Sequence, residues 1–187
     1  MKYKMLIGMF LLVILVGVFG CVDTSKETTL FFQDYIKGVE YNNNALDYRN
    51  VGNIYYDTFY MYYVDDYFEE AIENCKDARE YYVYANREHN LANVYFRRSK
   101  DYMVEGYEDL IEAYINYGEI TIKLNWLNYE ACEYFEEGSY NFMMGDLDSG
   151  NLEIEKGNEK TTERDNLVEE MNEYVSIIEV LAVEKIK

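Results

Sequence analysis

One row of small residues constrains the fold of this 187-residue chain more than any other feature. The row recurs every seven residues: Ala71, Ala78, Ala85, Ala92, Ser99 and Gly106. Larger side chains fall between its members at the four-three spacing of a heptad: Cys75, Tyr82, His89, Phe96 and Met103. Small residues let helix backbones approach closely, and large ones fill the alternate layers. The pattern predicts a helix over about 54–100, bent at Asp65-Asp66, that packs on an antiparallel partner.

The rest of the chain also has helical character, because it lacks proline and is rich in Glu. Apolar residues at helical spacing predict a first helix over about 28–49 and a third over about 107–144. Between the first two helices, residues 50–53 are turn material in which Asn53 is the expected N-cap. Residues 100–106 and 145–151 are the other two predicted turns.

The last part of the chain is more polar. Residues 155–166 are predicted to be loop or solvated helix. Thr162 with Asp165 resembles a capping box. A final helix then follows, with Val168, Met171, Val175, Ile178 and Ala182 on one face.

Two segments of the chain resemble each other: 68–78 and 128–138. Both also resemble the second helix of a tetratricopeptide repeat, through Ala71, Cys75 and Ala78 and through Ala131, Phe135 and Gly138. That resemblance implies a helical array. The family's period of 34 residues does not fit the offset between the segments. We therefore expect an all-α fold, a long antiparallel bundle of about four helices, with a tetratricopeptide-like array as the alternative.

The N-terminal segment has the features of a secretory signal. Lys2 and Lys4 precede an apolar run over 5–19, and Gly20 stands directly before Cys21. This ending resembles the lipobox of prokaryotic lipoproteins, whose signal is cleaved before a cysteine that receives a lipid. An uncleaved membrane anchor is the alternative.

The lipobox resemblance implies a domain organisation and a location. Residues 1–20 are the signal peptide, 21–28 a lipidated tether and 29–187 a single helical domain. The protein is then anchored in the cell membrane by a lipid on Cys21 and faces outside the cytoplasm. Its net charge of −19 is repelled by anionic headgroups and by nucleic acid. We expect the domain to stand off the membrane and to bind no nucleic acid.

The sequence offers no catalytic or metal-binding constellation. His89 is the single histidine and lies on the heptad row, so we expect a core histidine. A di-iron bundle needs Glu-x-x-His on two helices, and position 86 is Asn. Asp146 and Asp148 begin like a calcium loop, but the glycine and glutamate that an EF-hand needs are missing from its sixth and twelfth places. We predict neither catalysis nor a cofactor or metal.

The stretch YYDTFYMYYVDDYF, 55–68, is unusually aromatic. The heptad row extended backwards through a continuous helix passes through Phe68, Val64, Met61 and Ile54. Tyr55, Phe59 and Tyr62 then lie on the far side, where they form a candidate binding patch, unless they only fill the core.

Cys75 and Cys132 lie equally far from the turn predicted near 103–104. An antiparallel hairpin brings them to the same height, as a possible disulfide or as two buried thiols.

Together these features predict a lipid-anchored binding or scaffolding module of the cell envelope. Its expected partner is another envelope protein or a small ligand. The alternative is an envelope ligand-binding protein with a Tyr-lined cavity between its helices.

Overall fold

The computed structural model describes residues 26–185, which form four helices joined by short connections. The helices are α1 (Lys26–Val64), α2 (Phe68–Ser99), α3 (Glu108–Met143) and α4 (Leu147–Glu184), with a 3-10 turn at Lys100–Tyr102. Because the connections are short, consecutive helices are antiparallel neighbours. No strand occurs within 26–185, so the predicted all-α bundle of about four helices is confirmed. The predicted signal segment, with Cys21, lies outside the described residues.

The first helix is longer than predicted, because α1 continues through the expected turn at 50–53. Gly52 and Asn53 serve packing instead. The Tyr82 ring lies 3.0 Å from where a Cβ on Gly52 would stand. The Tyr82 hydroxyl donates a hydrogen bond to Asn53 Oδ1 at 3.0 Å. The predicted turn, with Asn53 as N-cap, is therefore wrong. The Tyr82 ring packs where Gly52 has no side chain, and the Tyr82 hydroxyl bonds to the amide oxygen of Asn53.

The first helix boundary falls at 65–67, where the sequence predicts only a bend. Asp66 has a left-handed backbone, with φ of 61°, a conformation that Asp adopts more readily than most residues. The predicted helix over 54–100 is therefore two helices. The third helix is confirmed, since α3 begins and ends within one residue of its predicted bounds.

The last helix, α4, is continuous through the polar stretch 155–166. Its N-cap is Asp146, which accepts a hydrogen bond from the Ser149 backbone N–H at 3.1 Å. The capping box predicted at Thr162 is wrong, because Thr162 lies inside the helix and its hydroxyl donates to the Asn158 carbonyl at 2.9 Å.

A repeated contact sets the register of the bundle: an aromatic ring lies in a notch left by a glycine on the facing helix. Four such contacts occur: Phe96 on Gly38, Tyr82 on Gly52, Phe135 on Gly157 and Phe142 on Gly150. A Cβ added at any of these glycines would stand 3.0 Å or less from a ring atom. The first two contacts join α1 to α2, and the last two join α3 to α4.

Five members of the predicted heptad row are buried as expected, since its four alanines are 1% exposed or less and Ser99 is fully buried. Its last member, Gly106, is exposed in the connection between α2 and α3. Apolar side chains gather in two clusters. One lies at the base, the end where α1 begins and α4 ends, around Phe31, Phe96 and Leu110. The other, around Phe59 and Phe135, lies towards the opposite end. We call that opposite end, residues 57–73 and 137–152, the tip.

Gly157→Ala tests the ring-in-notch contact. Overpacking a core costs about 1–3 kcal/mol, and alanine returns at most about 1 kcal/mol of helix propensity. We therefore expect a lower free energy of unfolding, measured by urea denaturation. In a Phe135→Leu background, where the ring is absent, the same change should be neutral or stabilising. Stabilisation of the otherwise unchanged protein by Gly157→Ala would contradict the notch.

Candidate functional site

The predicted aromatic patch does not form one surface. Phe59 is fully buried and stacks on Phe135 with ring centroids 4.9 Å apart. Tyr55 is half-buried and stacks on Tyr81 at 5.5 Å. Of the three predicted residues, Tyr62 is the most open, at 37% exposure. Phe59 therefore belongs to the core and adds no exposed surface to the predicted patch of Tyr55, Phe59 and Tyr62.

The break at 65–67 explains why Phe59 is buried. The prediction places Tyr55, Phe59 and Tyr62 opposite the heptad row, because it extends the row of α2 backwards through a continuous helix. The break resets the rotation of α1 about its axis, and the residues assigned to the row, Ile54, Met61 and Val64, are 63–74% exposed. Three residues predicted to face the core are thus exposed, and Phe59, which was predicted to lie on the far side, is buried.

The two turns of the tip lie side by side. The rings of Tyr63, Phe68 and Phe142 contact one another, with centroids 5.7–6.2 Å apart. Phe142 in turn lies on Gly150. This group closes the core and brings the α1–α2 and α3–α4 turns together. Apolar side chains beyond it have no further layer to pack against.

Exposed apolar side chains are concentrated at these turns. Residues 61–67 and 140–147 are fewer than a tenth of the described chain, yet they hold eight of its nineteen exposed large hydrophobic residues. The eight are Met61, Tyr62, Val64, Tyr67, Tyr140, Met143, Met144 and Leu147. Concentrated exposed apolar surface of this kind marks an interaction site more often than scattered single residues do.

The tip is also purely acidic. Residues 57–73 and 137–152 contain no Lys or Arg. They carry nine carboxylates: Asp57, Asp65, Asp66, Glu69, Glu70, Glu73, Glu137, Asp146 and Asp148. No salt bridge between described residues involves any of the nine. Just below the tip, by contrast, Arg79 pairs with Glu133 and Glu136.

A sequence signal for this surface exists, although periodicity does not show it. No Lys or Arg occurs between Arg49 and Lys76, or between Lys123 and Lys156. Each of these two cation-free runs contains one turn of the tip. Only the antiparallel fold makes them neighbours.

A cleft of about 840 Å³ lies between α2, α3 and α4. Most of its lining is charged, and Lys76, Arg79 and Lys160 are each paired with a glutamate. Tyr134 and Tyr140 also line it. This cleft does not resemble the Tyr-lined cavity of the alternative prediction, because paired charges dominate its wall.

Between the two apolar clusters lies a polar layer that includes His89, which is fully buried as predicted. Its ring lies 6.0 Å from that of Tyr117 on α3. Burial, and then the Arg49 guanidinium of α1, lower the pKa of His89 to about 3. Nearby, Asn125 donates a hydrogen bond to Asn86 Oδ1 at 2.9 Å. No group of His, Cys, Asp and Glu within residues 26–185 is arranged to hold a metal ion.

Cys75 and Cys132 are both fully buried and are neighbours, as the hairpin predicts. Both are free thiols. Burial, together with a hydrogen bond to Cys132, raises the pKa of Cys75, so its thiol stays protonated and poorly reactive at neutral pH. A disulfide between them stays a prediction, which the mass of the chain purified without reductant would decide.

Comparisons with protein-family models, curated proteins and solved structures find no match for this chain. Within residues 26–185, no helix combines the length and the apolar character needed to cross a bilayer.

His89→Leu tests the buried histidine. The pKa of His89 is about 3 in the folded protein, and its ordinary value is 6.5. Between pH 3 and pH 6.5, the histidine therefore binds a proton in the unfolded chain but not in the folded one. Stability from neutral His89 is thus complete above about pH 6.5 and falls by about 1.4 kcal/mol per pH unit towards pH 3. Urea denaturation from pH 7 to 4.5 should show this loss in the wild type relative to the variant, because carboxylates titrate in both. Parallel stability curves would contradict the assignment.

Proposed function

We propose that this protein is a lipid-anchored helical binding or scaffolding module of the cell envelope. In this proposal a lipid on Cys21 holds it to the membrane, outside the cytoplasm, and its tip makes contact with a partner without catalysis. The observation that carries the proposal is the concentration of exposed apolar side chains at the tip.

The position of the tip supports this role. Cys21 lies five residues before α1, which begins at the base. With 39 residues, α1 spans roughly 58 Å at 1.5 Å per residue. A lipid on Cys21 would therefore hold the base near the membrane and leave the tip far from its attachment point. The acidic surface would keep the domain off anionic headgroups.

The side chains at the tip suit contact with another molecule. Tyr and Met are enriched at the cores of protein interfaces, and the tip exposes three Tyr and three Met residues. Met is flexible and polarisable, so it adapts to an irregular partner surface.

Cys21→Ser tests the anchor. The serine hydroxyl does not replace the thiol that receives the lipid, so we expect the variant either to leave the membrane fraction or to keep its signal segment. Fractionation and gel mobility of the native protein in its own cells provide the comparison. A variant identical to wild type in both measurements would contradict lipidation.

A photo-crosslinking residue in place of Met144 tests the binding surface. Met144 is 65% exposed at the tip, so we expect it to crosslink to a specific envelope component in intact cells. The matched control replaces Val94, which is 51% exposed on α2 and far from the tip. Equal crosslinking at both positions, or none at Met144, would argue against binding through the tip.

A further inference from the structure

We infer that the tip binds a cationic amphipathic segment of a partner polypeptide, in which apolar residues are flanked by Lys or Arg. This inference rests on the proposed function and adds the chemistry of the partner. It follows from three properties of the tip: its apolar centre, its carboxylates and the helix ends that it contains.

The apolar residues provide the contact area. Val64, Met144 and Leu147 are each more than 60% exposed and stand next to the two turns. Tyr62 and Tyr67 contact each other, with ring centroids 6.4 Å apart, and also remain open. A partner that covers these side chains must supply apolar residues of its own.

The carboxylates decide the charge of that partner. The tip carries nine acidic residues and no basic one. Covering the apolar centre with a neutral or acidic segment would bring these carboxylates into a less polar environment without compensation. Lys and Arg at the rim of the partner would pair with them and speed encounter through long-range attraction.

The helix ends give a second, independent reason for a cationic partner. α1 and α3 both end at the tip, and neither has a basic residue in its last turn. Helix C-termini carry partial negative charge that cations stabilise. At the base, α2 has Arg97 and Arg98 in its last turn. The last turn of α4 holds no basic residue, but Lys185 follows it as the C-cap. The α2 and α4 N-termini at the tip already have acidic residues in their first turns.

The same charges argue against two other occupants. A second copy docked tip to tip would add nine further carboxylates to the same interface. A bilayer surface rich in anionic lipid would repel the tip. The experiment below distinguishes binding of a cationic segment from self-association and from binding to lipid.

The test uses the full chain in nanodiscs of zwitterionic lipid. The probe is a fluorescent Leu/Lys peptide of about 18 residues, five helical turns, with Leu on one face and Lys on the other. We expect fluorescence anisotropy to report binding that weakens as salt rises. The same peptide with Glu for Lys should not bind, and a scrambled Leu/Lys peptide should bind weakly.

Variants locate the contact. The tip variant replaces three residues together: Val64→Ser, Met144→Ser and Leu147→Ser. It should weaken peptide binding by about tenfold or more. A double variant, Glu69→Gln with Glu70→Gln, removes two of the carboxylates of the tip. It should weaken peptide binding and make that binding less dependent on salt. The matched control Val94→Ser/Val180→Ser changes two residues that are 51% and 60% exposed elsewhere and should bind like wild type. Circular dichroism checks the fold of each variant, and empty nanodiscs give the lipid background.

Several results would overturn the inference. They are equal binding of the Glu peptide, equal weakening in the control variant, and binding no stronger than to empty nanodiscs. Self-association that the tip variant abolishes would assign the surface to a second copy instead. If the peptide fails to bind while Met144 still crosslinks in cells, the inference is wrong and the proposed function stands. If both fail, both are wrong.

Discussion

The seating of aromatic rings on glycines is the contact on which the rest of this structure depends. Each ring replaces the side chain that its facing glycine lacks, so the two backbones approach closely without leaving a cavity. The contacts come in pairs one or two heptads apart: Gly38 and Gly52 on α1, and Gly150 and Gly157 on α4. A slip by one residue would place a ring against a full side chain. Two such contacts per hairpin therefore fix its register.

The register in turn places the polar layer. Ala45 lies midway between Gly38 and Gly52 and is fully buried, and His89 lies midway between Tyr82 and Phe96. The row of α2 residues that supplies the rings of Tyr82 and Phe96 thus supplies the imidazole of His89 between them. Burying that group neutral avoids the cost of a buried charge, but it makes stability depend on pH.

The tip follows from the same geometry. Tyr63, Phe68 and Phe142 form the last ring layer of the core, and the turns beyond it have nothing further to pack against. A chain that needed only to close the bundle could place polar residues there. This one places Met, Val, Leu and Tyr there, among carboxylates and without a single Lys or Arg. That combination is the basis for assigning the tip a binding role and a cationic partner.

Over residues 26–185, the sequence by itself determined the helical class, the number of helices, the burial of the alanine row and the proximity of Cys75 to Cys132. These depend on period and spacing, which are local properties of the chain. Only the tertiary structure decided where α1 ends, because Gly52 and Asn53 have the local preferences of a turn yet are held in a helix by Tyr82. The break at 65–67 then decided that Phe59 is core and that Met61 and Val64 are exposed. The tip required the fold as well, since two cation-free runs far apart in sequence become one surface only when antiparallel hairpins bring their turns together.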